Sequence, residues 1–87
     1  MADVTIYRTN YCPYCDRAER LFKEMGVDFE EIDVTHDAEA RDKLLERTGM
    51  RTVPQIFING ENVGGYDDVR ALKSQGKLQK LIDGDGD

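Results

Sequence analysis

The sequence predicts an α/β fold: one four-stranded mixed sheet in the order β-α-β-α-β-β-α, with helices on both faces. Three observations predict it. Two short β-rich runs flank a helix-length segment with an apolar stripe, the pattern of a βαβ unit. Two further strand-like runs meet at Asn59-Gly60, a strong two-residue hairpin signal. The 87 residues make one domain and leave no room for a second.

Val4-Thr5-Ile6-Tyr7-Arg8 alternates loosely and is β-rich, so it reads as the first strand. A loop, Thr9-Asn10-Tyr11, leads to Cys12-Pro13-Tyr14-Cys15. Proline suits the first position of a helix, where its missing N–H would have no partner. Ala18, Leu21, Phe22 and Met25 follow at i, i+3, i+4 and i+7, and Gly26 is the expected stop. Phe29 to Val34 alternates apolar and acidic residues as a half-buried strand does. Its connection to the first strand through a helix predicts parallel pairing and a right-handed crossover.

Asp37 is the expected N-cap of a second helix, Ala38 to Thr48, with Ala40, Leu44 and Leu45 inward and Gly49 as its cap. Gln55-Ile56-Phe57-Ile58 and Glu61-Asn62-Val63-Gly64 are the hairpin strands. Gly64-Gly65 opens a third helix with Val69 and Leu72 inward and Gly76 as stop. Leu78, Leu81 and Ile82 predict one last turn. The domain is expected over residues 1–82, and residues 83–87, Asp-Gly-Asp-Gly-Asp, as a frayed acidic tail with nothing to bury.

Acids number 18 and bases 12, a net charge of -6. Such a chain repels nucleic acid and anionic membrane surfaces, and no basic block overrides that. No apolar stretch approaches the ~20 residues of a membrane span. Met1-Ala2-Asp3-Val4-Thr5 lacks the basic and apolar segments of a secretory signal. The expectation is a cytoplasmic monomer. Two cysteines are too few to staple a small secreted domain.

The cysteines carry the chemistry. They are three apart, after a strand and at the start of a helix, which is a redox setting rather than a metal one. Thiol exchange needs a thiolate, and a free cysteine with a pKa of ~8.5 supplies little at neutral pH. Unpaired N–H groups and the dipole at a helix N-terminus stabilise the anion. Cys12 falls at that N-terminus and is the expected nucleophile. Cys15 lies one turn inside, on the packed side, and is the expected resolving thiol. Arg8 is a candidate source of positive potential. Three other readings of the pair carry less. Inert core cysteines rarely precede proline at a helix start. A zinc site needs four ligands, and only His36 could join the pair without recruiting carboxylates. A cysteine protease needs a histidine base, and His36 sits in an acidic loop where a solvated role is expected.

The sequence resembles the glutaredoxin family from Val4 to about Leu81. Four segments carry the resemblance: Cys12-Pro13-Tyr14-Cys15, Gly49-Met50-Arg51-Thr52-Val53-Pro54-Gln55-Ile56-Phe57, Asn59-Gly60, and Gly64-Gly65-Tyr66-Asp67-Asp68. The size is similar to that of small bacterial dithiol members. The resemblance implies a thioredoxin-like fold, a cis Val53–Pro54 bond, and glutathione as reductant and co-substrate, with no metal. It implies that Tyr14 offers its ring to glutathione. Arg51 and Thr52 would meet the glycyl carboxylate, and the backbone of Val53, beside Pro54, the cysteinyl part. Gly65, Tyr66, Asp67 and Asp68 would form the γ-glutamyl site, since two glycines permit close approach and a helix N-terminus takes a carboxylate. Thr9 stands where the family usually has a lysine.

By resemblance, the function is reduction of protein disulfides and glutathione mixed disulfides through Cys12 and Cys15. Ribonucleotide reductase is among the partners it implies. Other readings stay open: a redoxin reduced by thioredoxin reductase, a carrier of a [2Fe–2S] cluster between two subunits, which Pro13 disfavours by the family pattern, and a bare interaction module.

Overall fold

A computed structural model describes residues 3–50 and 52–84. Its elements are β1 (Val4–Arg8), α1 (Pro13–Glu24), β2 (Glu30–Asp33), α2 (Ala38–Thr48), β3 (Gln55–Ile58), β4 (Glu61–Gly64), α3 (Tyr66–Ser74) and α4 (Leu78–Asp83). The sheet order is β2-β1-β3-β4. β1 and β2 are parallel, with Tyr7 opposite Ile32. β1 and β3 are antiparallel, with Val4 opposite Ile58, and the β3–β4 hairpin is antiparallel too. This is the mixed sheet the sequence predicts.

Alternation along the strands sorts the side chains into two layers. Val4 and Ile6 of β1, with Ile56 and Ile58 of β3, join Ala18, Leu21 and Phe22 of α1, Val69 of α3, and Leu78 and Ile82 of α4 in one buried cluster. The opposite face is thinner. Tyr7 and Phe57 meet edge to face at 5.5 Å, and the Arg47 guanidinium of α2 lies 4.3 Å over the Phe57 ring. Of the three residues expected inward on α2, Leu44 is buried, while Ala40 and Leu45 are half-buried.

The helix ends follow their chemistry. The Asp37 carboxylate accepts from the Ala40 N–H at 3.0 Å, and Gly49, at φ +72°, closes α2. β2 is shorter than its alternation predicts, because an edge strand keeps only the residues that β1 pairs. The expected last turn is a six-residue helix, α4, that keeps Asp83 and ends on Gly84. Asn59 of the hairpin turn donates from its side chain to the Leu81 carbonyl at 2.9 Å and holds that helix against the sheet. The remainder of the expected tail, residues 85–87, lies outside the described residues.

Candidate functional site

β1 ends beside the start of α1, and the two cysteines sit at that junction. Cys12 is the N-cap, in extended conformation, and Pro13 opens the helix. The Cys15 N–H donates to the Cys12 sulfur at 3.1 Å. A first-turn N–H aimed at a sulfur favours its anion, as does the positive end of the helix. Cys12 and Cys15 are joined as a disulfide, with Cα atoms 5.1 Å apart. Their exposures differ in the direction that matters: Cys12 is 8% exposed and Cys15 fully buried. Cys12 is the more accessible of the two sulfurs.

The loop before Cys12 is tied from behind. The Asn10 N–H donates to the Thr35 hydroxyl at 2.6 Å, and Thr35 donates from its own N–H to Asp33 at 2.8 Å. The Thr35 hydroxyl also donates to that carboxylate, at 2.5 Å, and the two bonds from Thr35, the hydroxyl's first, hold the Asp33 carboxyl below the usual carboxylate range. Arg8 is placed differently from its expected role. It shares the face of Val4 and Ile6 and is buried against α1, with Nη1 2.9 Å from Asp16 and 3.1 Å from Glu19. Its Nε donates to the Thr9 carbonyl at 3.0 Å. The charge of Arg8 is taken up by two carboxylates, so it clamps the helix rather than serving as a free cation for the sulfur.

A groove of about 210 Å³ opens beside the disulfide. Tyr14 lines it from α1; Met50, Thr52, Val53 and Pro54 line it from the loop before β3; Gly65, Tyr66, Asp67 and Asp68 line it from the start of α3. The Val53–Pro54 bond is cis, and the Val53 carbonyl oxygen lies 3.9 Å from the Cys12 sulfur. In the disulfide that sulfur carries no proton, so this is a contact and not a hydrogen bond. Two glycines shape the far wall. Gly64 has φ +103°, a backbone that other residues rarely adopt. A Cβ on Gly65 would stand 3.3 Å from the Pro54 carbonyl oxygen, so glycine lets α3 approach the proline loop. Gly65 is also the N-cap of α3 and has no side chain to cap the helix. The Asp68 carboxylate accepts from the Gly65 N–H at 2.9 Å, while first-turn N–H groups stay open to a ligand.

The structure thus brings together Tyr14, Thr52, Val53, Pro54, Gly65, Tyr66, Asp67 and Asp68 around one groove beside Cys12. Arg51 lies outside the described residues. Sequence reasoning gave Met50 no role, although it lies in the Gly49–Phe57 segment that carries the family resemblance. It also missed Gln55, a fully buried amide that donates to the Thr52 carbonyl at 2.9 Å and to the Thr52 hydroxyl at 3.2 Å. A polar residue opening an otherwise apolar strand was its signal. Among the described residues, no three His, Cys, Asp or Glu gather as metal ligands do.

A cysteine pair at a helix start, beside a proline loop on this sheet, defines a thiol–disulfide oxidoreductase of the thioredoxin-like fold. The comparisons narrow the class. The glutaredoxin family model matches residues 4–63. Glutaredoxin 3 of Escherichia coli is 44% identical over 94% of this chain and 99% of its own. The solution structure of a Brucella melitensis glutaredoxin is 48% identical, with a TM-score of 0.85 over 94% of this chain and 89% of that one. A buckwheat glutaredoxin–glutathione complex is 33% identical, with a TM-score of 0.85 over 91% and 74% of the two chains. The chain belongs to the glutaredoxin family.

Proposed function

We propose that this chain is a glutathione-dependent oxidoreductase that reduces protein disulfides and glutathione mixed disulfides, with Cys12 as nucleophile and Cys15 as resolving thiol. The observation that carries this reading is the Cys12 sulfur. It is the more exposed of the pair, accepts a first-turn N–H, and lies 3.9 Å from the carbonyl oxygen of Val53, which lines the Tyr14–Val53–Asp68 groove. The buckwheat homologue's complex with glutathione supports glutathione as the occupant of that groove.

The Cys12 thiolate attacks the glutathione sulfur of a mixed disulfide, and the protein thiolate leaves. A second glutathione thiolate attacks the bound glutathione sulfur, releasing oxidised glutathione and the Cys12 thiolate. With a protein disulfide, Cys12 first forms a mixed disulfide with the substrate. Cys15 then attacks the Cys12 sulfur, frees the reduced substrate, and leaves the Cys12–Cys15 disulfide. Two glutathiones reduce it, becoming oxidised glutathione.

Each part of the groove has a role in this reading. The backbone of Val53, beside Pro54, pairs with the cysteinyl part of glutathione, and Thr52 faces its glycyl carboxylate, with Arg51 as a further partner. The open N–H groups after Gly65 take the γ-glutamyl carboxylate, and Asp67 and Asp68 take its ammonium. The Tyr14 and Tyr66 rings wall the tripeptide. A reducing, glutathione-rich compartment such as the cytoplasm fits the chemistry, and ribonucleotide reductase is one disulfide substrate of the right kind.

The test is glutathione-coupled reduction of a small mixed disulfide by wild type, Cys12→Ser and Cys15→Ser. Wild type is expected to turn over, Cys12→Ser to lose activity by at least about a hundredfold, and Cys15→Ser to stay active on this substrate while failing on protein disulfides. Retained activity in Cys12→Ser would reject the assignment. A wild type that ignores glutathione but accepts electrons from thioredoxin reductase would make the groove something other than a glutathione site.

A further inference from the structure

A second, larger groove runs between α1 and α3. Its volume is about 540 Å³, and it is lined by Arg17, Arg20, Leu21 and Glu24 of α1 and by Tyr66, Arg70, Lys73 and Ser74 of α3. Four cations meet a single carboxylate there, on a chain whose net charge is -6. The two helices contribute the bases at one-turn spacing, Arg17 to Arg20 and Arg70 to Lys73, so both rows face the same trough. Among the described residues, none of these four cations forms an ion pair; the pairs present are those of Arg8 with Asp16 and Glu19, and of Lys43 with Glu39. Elsewhere on this molecule, bases are outnumbered by acids. In this trough the sign is reversed and the charge is unspent.

The trough is continuous with the cysteine site. The Arg17 guanidinium lies 5.3 Å over the Tyr14 ring, and Tyr14 and Tyr66 approach to 6.2 Å. Tyr66 lines both grooves. A polypeptide whose sulfur is held at Cys12 has this basic channel as an exit along α1.

We infer that the α1–α3 groove docks an acidic segment of the protein substrate, a run of Asp and Glu adjoining the cysteine that Cys12 attacks. This deepens the thiol-exchange reading and rests on it for the word substrate. Nucleic acid fits the same cations, but the acidic remainder of the surface opposes a long polyanion. A short acidic segment meets the trough alone. Its carboxylates pair with Arg20, Arg70 and Lys73, while apolar atoms cover Leu21. The contacts act mainly on encounter and selection among substrates, as peripheral charges do, and they weaken with salt.

The test separates docking from chemistry. A cysteine-free peptide rich in Asp and Glu is titrated against wild type and against the Arg20→Glu, Arg70→Glu double variant, with a peptide of Ser and Gln as control. Both substituted side chains are exposed, and neither lines the cysteine-side groove. The acidic peptide is expected to bind wild type better than the control, less so as salt rises. The double variant should lose about tenfold or more of that affinity. In turnover, the same variant should lose its preference for a glutathionylated acidic peptide over a neutral one, yet reduce a small glutathione mixed disulfide that carries no acidic peptide at the wild-type rate. Equal binding of the two peptides, or affinity untouched by charge reversal, would overturn the proposal. So would equal binding of a single-stranded oligonucleotide. A wild type that fails to reduce the small disulfide would instead sink the thiol-exchange reading, and the binding arm would still judge the groove.

Discussion

Gln55 uses both ends of its amide. The nitrogen donates to the carbonyl and hydroxyl of Thr52, and the oxygen accepts from the Asn62 side chain at 3.3 Å. It therefore fastens one wall of the cysteine-side groove to β4. Burial makes the arrangement all-or-none, since a polar group left unpaired inside costs about 1–3 kcal/mol. Gln55→Leu keeps the volume and removes the bonds. It is expected to lower stability by about that amount and to raise the KM for glutathione several-fold, with kcat on a small disulfide much less changed. Unchanged KM with lowered stability would leave Gln55 a structural residue only. At this scale the sequence was legible where one residue type has one use: proline at a helix start, glycine where φ is positive, cysteine at an N-cap. It was silent on Gln55 and Thr35, because their partners are distant in the chain or depend on the hairpin and loop geometry around them.

At the scale of the element, α1 starts at the Cys12 N-cap, holds Cys15 in its first turn, and is fixed to β1 by Arg8. Periodicity made the helix legible from Ala18, Leu21 and Phe22, but it said nothing of Glu19. That acid falls on the buried side because it follows Ala18 directly and an arginine on the neighbouring strand turns toward it. The pairing is imperfect. Glu19 Oε2 lies 3.1 Å from Arg8 Nη1 without an aligned hydrogen bond, and Glu31 adds a second negative charge beside it. Burial, with Glu31 in support, outweighs Arg8 and pushes the Glu19 carboxyl up from its ordinary 4.5. A raised carboxyl favours the folded state while it is protonated. Its contribution is complete below the ordinary value and is lost as pH rises through the folded one. Glu19→Gln cannot titrate. Its melting temperature, compared with that of wild type, is therefore expected to improve progressively from about pH 4 to pH 7. Parallel melting curves for the two proteins across that range would show that Arg8 fully compensates the buried charge.

For the molecule as a whole, the two faces of the sheet are unequal. One is closed by α1, α3 and α4 over a continuous cluster; the other by α2, with Leu44 as the buried apolar residue on that helix. The strand pattern made both faces legible, but not their inequality. That depends on which helix stripes are continuous once packed, and α4 read as a turn rather than a helix. A domain of 87 residues has a stability of about 4–13 kcal/mol. Phe22, fully buried and 6.3 Å from the Phe29 ring, sits in the thick layer on the same helix as the cysteines. Phe22→Ala removes its contacts and leaves a cavity, at a cost of about 3–5 kcal/mol. In a domain of this size that lowers the melting temperature by at least about 12 °C, measurable by calorimetry. Because α1 supplies both the core and the cysteine turn, alkylation of reduced Cys15 is expected to accelerate in step with unfolding in this variant. Cys15 alkylation that stayed at the wild-type rate while the core melted would show that the first turn of α1 holds by itself, through Arg8 and its two carboxylates.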